Sequence, residues 1–307
     1  MQRERVASVF CAAMGLLDPL TGRSRADLVR IAGRLRRVAS ARVLAGRSPA
    51  HMARFLVQQR PPPLIDSERR VVLIWTPKVA SSTAAIWFFT AAGSADEAEA
   101  FDPNPHRYRQ IVHYGSELYR RGLADDLRDY RVLRIVRDPW TRSVSSYRHA
   151  LWVGYHDEAV AERLGRPVNG RKGFSFNEYL DLLEGVGLEN ANLHDFVQRH
   201  RVEDVLAPST IIRLPEDDLF ESLAAFERDN GLPVTDLSST GWIERVEGPR
   251  RAGTGGHPDD GPDAQLSRRE AAKQGAWPGS QSLLTEQTRA RISALYAVDV
   301  EAYFPDA

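Results

Sequence analysis

The stretch VVLIWTPKVASSTAAIWFF (residues 71–89) predicts a strand, a polar turn and a helix in direct succession. Residues 71–75 are apolar and mostly β-branched, which is typical of a buried strand in a parallel sheet. The turn at 76–83 carries Lys78 and several hydroxyl groups before the apolar residues that follow Ala84. Free amides and the dipole at a helix N-terminus favour an anion, so this turn predicts a phosphate site. The Walker A sequence is absent, because no glycine lies between Glu68 and Ala92.

A second unit of the same kind is RVLRIVRDPWTRSVSSY (residues 131–147). Arg137 ends the predicted strand, and Ser145 follows it by eight residues, about two helical turns, so both side chains can reach one phosphate. Residues 209–214 predict a third strand, followed by acidic residues that open a helix. Residues 110–113 predict a shorter fourth strand. Two anion sites at neighbouring strand ends suggest a nucleotide with two separated phosphate groups.

Strands that alternate with helical segments predict an α/β fold with a central parallel sheet flanked by helices, arranged as a doubly wound sheet. The domain organisation follows from composition. Residues 1–66 form an Arg-rich helical N-terminal segment, with an amphipathic helix at 24–45, and residues 67–307 form the main domain. Residues 248–281 are rich in Gly, Pro and charge and predict a mobile loop, and residues 283–303 predict a final helix.

Composition restricts the class of protein. Of 307 residues, 42% are hydrophobic and 27% charged, which is typical of a globular chain, and the formal net charge of zero argues against a nucleic-acid partner. The first 60 residues are basic, with 12 arginines against three acidic residues, so this segment is a candidate polyanion contact. Cys11 is the single cysteine, and no metal-binding motif occurs, so neither a disulfide nor a metal is expected. No apolar run is long enough to predict a transmembrane segment, and we expect a cytoplasmic protein.

The pair PKVASST and RIVRDPWTRSVSSY resembles the two cofactor motifs of the sulfotransferases that use 3′-phosphoadenosine 5′-phosphosulfate (PAPS). The likeness is greatest to the branch with the carbohydrate sulfotransferases and heparan sulfate 2-O-sulfotransferase. FSFNEYL (174–180), NLH (192–194), residues 211–218 and residues 296–304 are similar to later segments of that family, so the resemblance covers residues 70–307. It implies a P-loop-like three-layer fold and transfer of a sulfuryl group from PAPS to a hydroxyl group, most simply that of a sugar.

The resemblance also implies roles for individual residues. Lys78 would contact the 5′-phosphosulfate and stabilise the leaving phosphate, and Arg137 and Ser145 would hold the 3′-phosphate. The rest of the first motif would surround the 5′-phosphosulfate: Val79, Ala80, Ser81, Ser82 and Thr83. Sulfuryl transfer depends on positioning and charge stabilisation, which a lysine can supply without a metal.

A general base is also needed, because the acceptor hydroxyl loses its proton as it attacks. His113 is the first candidate, since its offset from Arg137 is similar to that of a histidine base in the 2-O-sulfotransferase branch. His194 is the second candidate, ahead of His149 and His156, and Glu178 is a weaker one. Two other functions remain open at this point: a P-loop-like kinase that uses ATP, and a non-catalytic protein that binds nucleotides or polyanions.

Overall fold

A computed structural model describes residues 49–237, 241–251, 261–265 and 279–306 of the chain. All of these belong to one compact unit, Ser48–Ala307. The predicted helix at 24–45 and most of the predicted loop, at 252–260 and 266–278, lie outside the described residues.

Four strands form one sheet: β1 (Leu64–Asp66), β2 (Val71–Ile74), β3 (Arg131–Arg137) and β4 (Thr210–Leu214). Their order in the sheet is the order of the chain. The β1 strand pairs antiparallel with β2, whereas β2 with β3 and β3 with β4 pair parallel. The prediction of an α/β fold is therefore confirmed, and the predicted parallel pairing holds for β2, β3 and β4, whereas the antiparallel edge strand β1 was not predicted. Within the described residues the strand order runs in one direction, without the reversal that defines a doubly wound sheet.

The remaining elements are helices. The α-helices are α1 (Pro49–Val57), α2 (Ser81–Ala91), α3 (Ala95–Phe101), α4 (Pro105–Ile111), α5 (Glu117–Ala124), α6 (Pro139–Val153), α7 (Asp157–Leu164), α8 (Phe176–Val186), α9 (Leu219–Asp229), α10 (Trp242–Arg251), α11 (Ser280–Leu283), α12 (Glu286–Leu295) and α13 (Ala297–Tyr303). Short 3₁₀ helices occupy His113–Gly115, Leu127–Asp129, Leu188–Asn190 and Arg201–Asp204.

Helices cover both faces of the sheet, because successive residues of a strand point to opposite faces. Leu73 and Leu133 belong to a core that includes Trp87 of α2. Val72 and Val132 belong to a second core, with α1 and α5. Burial on both faces explains why β2 is continuously apolar in sequence, and the arrangement is compatible with a three-layer α/β fold.

Three predictions of local structure were wrong. Residues 110–113 are not a strand but lie in α4 and the 3₁₀ helix that follows it. Pro105 at the first helical position and the side chain of Asn104, which accepts from the amide of His106, start a helix there. The single helix predicted at 283–303 is three helices, because the Thr285 side chain caps a new helix start. Residues 248–251, assigned to the loop, are helical.

The contact between α5 and β1 depends on Gly122. A Cβ atom at this position would lie 2.3 Å from Cγ2 of the buried Ile65. Overpacking of this kind is destabilising, so we expect Gly122→Ala to lower the free energy of unfolding by about 2 kcal/mol in a urea titration. The matched control is Gly115→Ala, since a Cβ atom there has no neighbour within 4 Å. Equal unfolding midpoints for the two variants would contradict this packing.

Among the described residues, none of the helices has both the length and the apolar character needed to cross a bilayer.

Candidate active site at the carboxyl edge of the sheet

Both polar turns lie at the carboxyl edge of the sheet, on neighbouring strands. The parallel register pairs Ile74 of β2 with Arg134 of β3, so the chain leaves both strands within a few residues of the same level. Neighbouring strands are about 4.8 Å apart, which places the two turns side by side. The end of β4 reaches the same edge, where Leu214 pairs with Arg137.

The first loop, residues 76–80, connects β2 to α2 and contains two residues with left-handed backbone conformations. Lys78 has φ 70° and Ala80 has φ 55°, backbone conformations that are unfavourable for residues other than glycine. Ala80 is the N-cap residue of α2, and no side chain caps that helix. The first turn of α2, with Ser81, Ser82 and Thr83, therefore presents its amides at the loop. Thr76, which precedes the loop's proline, carries a buried hydroxyl oxygen without a hydrogen-bond partner.

The second turn, residues 137–141, presents an arginine that has no ion pair among the described residues. Arg137 Nε donates to Thr141 Oγ1 at 3.0 Å, and burial is the main cause that lowers the pKa of this guanidinium. The side chain of Gln198 fixes the strand end, because it accepts from the amide of Arg137 at 2.8 Å and donates to its carbonyl at 2.7 Å. Asp138 caps α6 through the Thr141 amide. Ser145 lies partly exposed two turns into that helix.

Arg142 of α6 joins the two halves of the site. Its side chain is only 1% exposed, and it bonds main-chain carbonyls. Nε donates to the carbonyl of Pro77 in the first loop at 3.2 Å, and a terminal nitrogen donates to the carbonyl of His194 at 3.1 Å. Ser146 Oγ donates to the same His194 carbonyl at 2.8 Å. A planar guanidinium with several donors suits this bridge, which sets the distance between Lys78's loop and His194.

We expect Arg142→Met to destabilise the protein by about 3 kcal/mol, because two buried carbonyls lose a charged donor. Nucleotide affinity at the first loop should fall as well, since the loop loses its anchor. Urea unfolding and calorimetry measure the two effects, and Arg120→Met on the exposed surface of α5 is the matched control. A urea unfolding midpoint of the Arg142 variant equal to that of the wild type would show that the bridge does not stabilise the fold.

His194 lies near enough to Lys78 for the charge of the lysine to lower its pKa. Burial, followed by the charge of Lys78, lowers the pKa of His194 to about 4, so the ring is neutral near pH 7. Its Nδ1 lies 2.8 Å from Oδ1 of Asn192, which also accepts from the His194 amide at 3.1 Å. Since that oxygen can only accept, Nδ1 carries the ring proton and Nε2 has a free lone pair. The ring is further held by Tyr155, which stacks on it at 5.5 Å.

His113, the first candidate base from the sequence, lies elsewhere. It is 4% exposed and is enclosed by the rings of Phe88, Phe89 and Tyr119 at 5.3, 5.6 and 5.3 Å. Burial lowers the pKa of His113 to about 4, and its Nε2 has no hydrogen-bond partner. The structure thus brings His194 within the electrostatic reach of Lys78, while the ring of His113 packs against the buried rings of Phe88, Phe89 and Tyr119.

The other candidate bases have structural partners. His149 packs its ring 4.4 Å from that of His194. His156 bonds the buried carboxylate of Asp195 at 2.8 Å. Glu178 completes the capping box of α8 and pairs with Arg166 at 2.9 Å.

Sequence reasoning missed three residues of this region: Arg142, Asn192 and His106. Arg142 stands inside the second motif, but the spacing of its two carbonyl partners across the fold cannot be read from sequence. Asn192 precedes His194 by two residues, a spacing that permits the observed turn. His106 Nε2 lies 3.2 Å from Ser82 Oγ, and no motif marks it.

Among the described ranges, no group of three or more His, Cys, Asp or Glu side chains could hold a metal ion. No family model, no curated protein and no solved structure shows a significant match to this chain.

Proposed function

We propose that this chain is a sulfotransferase with a P-loop-like fold that transfers a sulfuryl group from PAPS to a hydroxyl group of a carbohydrate. The observation that carries the proposal is the pair of polar turns at neighbouring strand ends, with Arg142 bonded to the first loop and to the carbonyl of His194, whose pKa the charge of Lys78 lowers. Two separated turns suit a nucleotide with separated phosphate groups, such as one with 3′ and 5′ substituents. The consecutive phosphates of a nucleotide such as ATP would need only one of the two turns.

The residues present fit such a nucleotide. The uncapped start of α2 and the orphaned hydroxyl of Thr76 offer donors at the first loop. Arg137 offers a guanidinium at the second turn that forms no ion pair within the described part of the chain. Lys78 with residues 79–83 would hold the 5′-phosphosulfate, and Arg137 with Ser145 would hold the 3′-phosphate.

When bound, PAPS supplies a sulfuryl group that is activated by a phosphate leaving group. The chain's own residues supply the rest. Lys78 stabilises the negative charge that develops at the first loop, in surroundings where a preorganised cation is worth more than in water. His194 Nε2 accepts the proton of the acceptor hydroxyl, for which a neutral ring with a free lone pair is required. Asn192 keeps that ring in the useful tautomer.

The test is group transfer from PAPS that carries radioactive sulfur to a panel of sugars and glycans, with and without EDTA. We expect labelled product in both conditions, because the site relies on Lys78 rather than on a metal. A parallel reaction uses ATP labelled at its γ-phosphate, and labelled product from that reaction alone, and only with Mg²⁺, would replace the proposal by the kinase alternative. Nucleotide binding without any transfer would support the non-catalytic alternative.

A further inference from the structure

A second buried arginine lies beside the first turn of α2, outside the residues assigned so far. Arg109 of α4 is 6% exposed, and it has no ion pair among the described residues. Its Nε is buried without a hydrogen-bond partner, and its guanidinium carbon lies 3.9 Å from the centre of the Trp75 ring. Burial lowers the pKa of Arg109 to about 10, so the group is still a cation near pH 7. A buried cation without a counter-ion is costly to maintain, which suggests a use for its charge.

His106 links Arg109 to the first turn of α2 by two hydrogen bonds. A terminal nitrogen of Arg109 lies 2.7 Å from His106 Nδ1, and His106 Nε2 lies 3.2 Å from Ser82 Oγ. The imidazole stacks on Trp75 at 5.8 Å with an angle of 15° between the planes, so its orientation is fixed. Trp75 in turn donates to the carbonyl of Pro62 at 3.1 Å. Each member of the chain from Arg109 to Ser82 is thus held by packing.

The direction of these hydrogen bonds follows from the chemistry of arginine. A guanidinium can only donate, so His106 Nδ1 must be the acceptor. The ring proton of the neutral imidazole is then on Nε2, which donates to the oxygen of Ser82. Only two hydrogen bonds and one imidazole ring separate Arg109 from Ser82 in the first turn of α2, where its charge adds to that of the helix dipole.

We propose that Arg109 and His106 are positioning residues for the anion at the first turn of α2. Arg109 holds His106 as the Nε2–H tautomer, and His106 holds the Ser82 side chain in place by a hydrogen bond. The positive charge of Arg109 attracts the anion at the same turn. The ligand group concerned is a multiply charged one of the diphosphate or phosphosulfate class, at the 5′ end of the nucleotide. The identity of this ligand rests on the proposed function, whereas the effect on anion binding does not.

The first test compares two nucleotides by calorimetry in Arg109→Met. Adenosine 3′,5′-bisphosphate reaches both turns, whereas adenosine 3′-monophosphate lacks the 5′ group. We expect the affinity for the bisphosphate to fall about tenfold and that for the monophosphate to stay unchanged. Arg107→Met is the matched control, because Arg107 is on the same helix but its side chain is 59% exposed. An equal loss for both nucleotides, or none for either, would overturn the proposal.

A double-mutant cycle tests the route of the effect. If the charge acts through Ser82, Arg109→Met should weaken binding less in the Ser82→Ala background than in the wild type. His106→Phe, which keeps a ring against Trp75, should behave like Arg109→Met, whereas His106→Gln retains a donor near Ser82 and should lose less. Additive effects would mean that Arg109 does not act through Ser82 and would contradict the proposed route.

Two measurements decide the inference even if the proposed function fails. Nitrogen NMR should find His106 in the Nε2–H tautomer in the wild type and in a mixture in Arg109→Met. Pyrophosphate, used as a probe without a nucleoside, should bind the wild type more tightly than Arg109→Met. A wild type without preference for a 3′-phosphate would refute the sulfotransferase, while equal pyrophosphate affinities together with an unchanged tautomer would refute the role of Arg109.

Discussion

Replacement of Lys78 by alanine is expected to lower the rate of sulfuryl transfer by about a thousandfold, with a much smaller loss of nucleotide affinity. In the proposed mechanism, Lys78 stands at the first loop before the uncapped start of α2, where its charge would stabilise the leaving phosphate more than the bound ground state. Steady-state rates together with calorimetry separate the two quantities.

Lys172 supplies the matched control, since it is one of three lysines in the chain and lies exposed in the turn before α8. Lys172→Ala should keep wild-type rates. Wild-type turnover in Lys78→Ala would show that the lysine takes no part in catalysis. It would also contradict the role that the resemblance implies for Lys78.

His194→Gln is expected to reduce kcat/KM by two to three orders of magnitude, about the range for a lost general base. His113→Phe should retain activity, because the aromatic enclosure accepts another ring and its ring contacts lie in the core. The opposite ranking of the two variants would restore His113 as the base.

The same assignment predicts a pH profile. A base works when deprotonated, and the pKa of His194 is lowered to about 4, so activity should stay level between about pH 5 and 7 and fall as the pH drops through 4. An acidic limb near the ordinary histidine value of about 6.5 would contradict His194. In Lys78→Met, an NMR titration should show a higher pKa for His194 that still lies below the ordinary value, because burial, the larger cause, remains.

The sequence was a good guide to elements whose signals are local. The strands β2, β3 and β4 and the helices after them were predicted from short apolar runs bounded by polar turns, and the parallel register then brought Lys78 and Arg137 to one edge. The helix at 105–111 was missed although Asn104 and Pro105 are local start signals, because residues 110–113 were assigned to a short strand.

The relation of His194 to Lys78 could not be predicted, because it depends on long-range contacts. Arg142 connects Pro77 to His194, segments more than a hundred residues apart in the chain. The enclosure of His113 likewise depends on how α2 packs against the segment that follows α4. Periodicity and spacing carry no information on contacts of this kind. The placement of the two turns at neighbouring strand ends, by contrast, could be predicted from the two strand–turn–helix patterns.

The most direct measurement is calorimetry of adenosine 3′,5′-bisphosphate against AMP and ADP, in the wild type and in Arg137→Ala. We expect the bisphosphate to bind most tightly, and we expect Arg137→Ala to abolish that preference while Arg131→Ala, at the opposite end of the same strand, retains it. Equal affinities for the three nucleotides in the wild type would contradict a site built for PAPS.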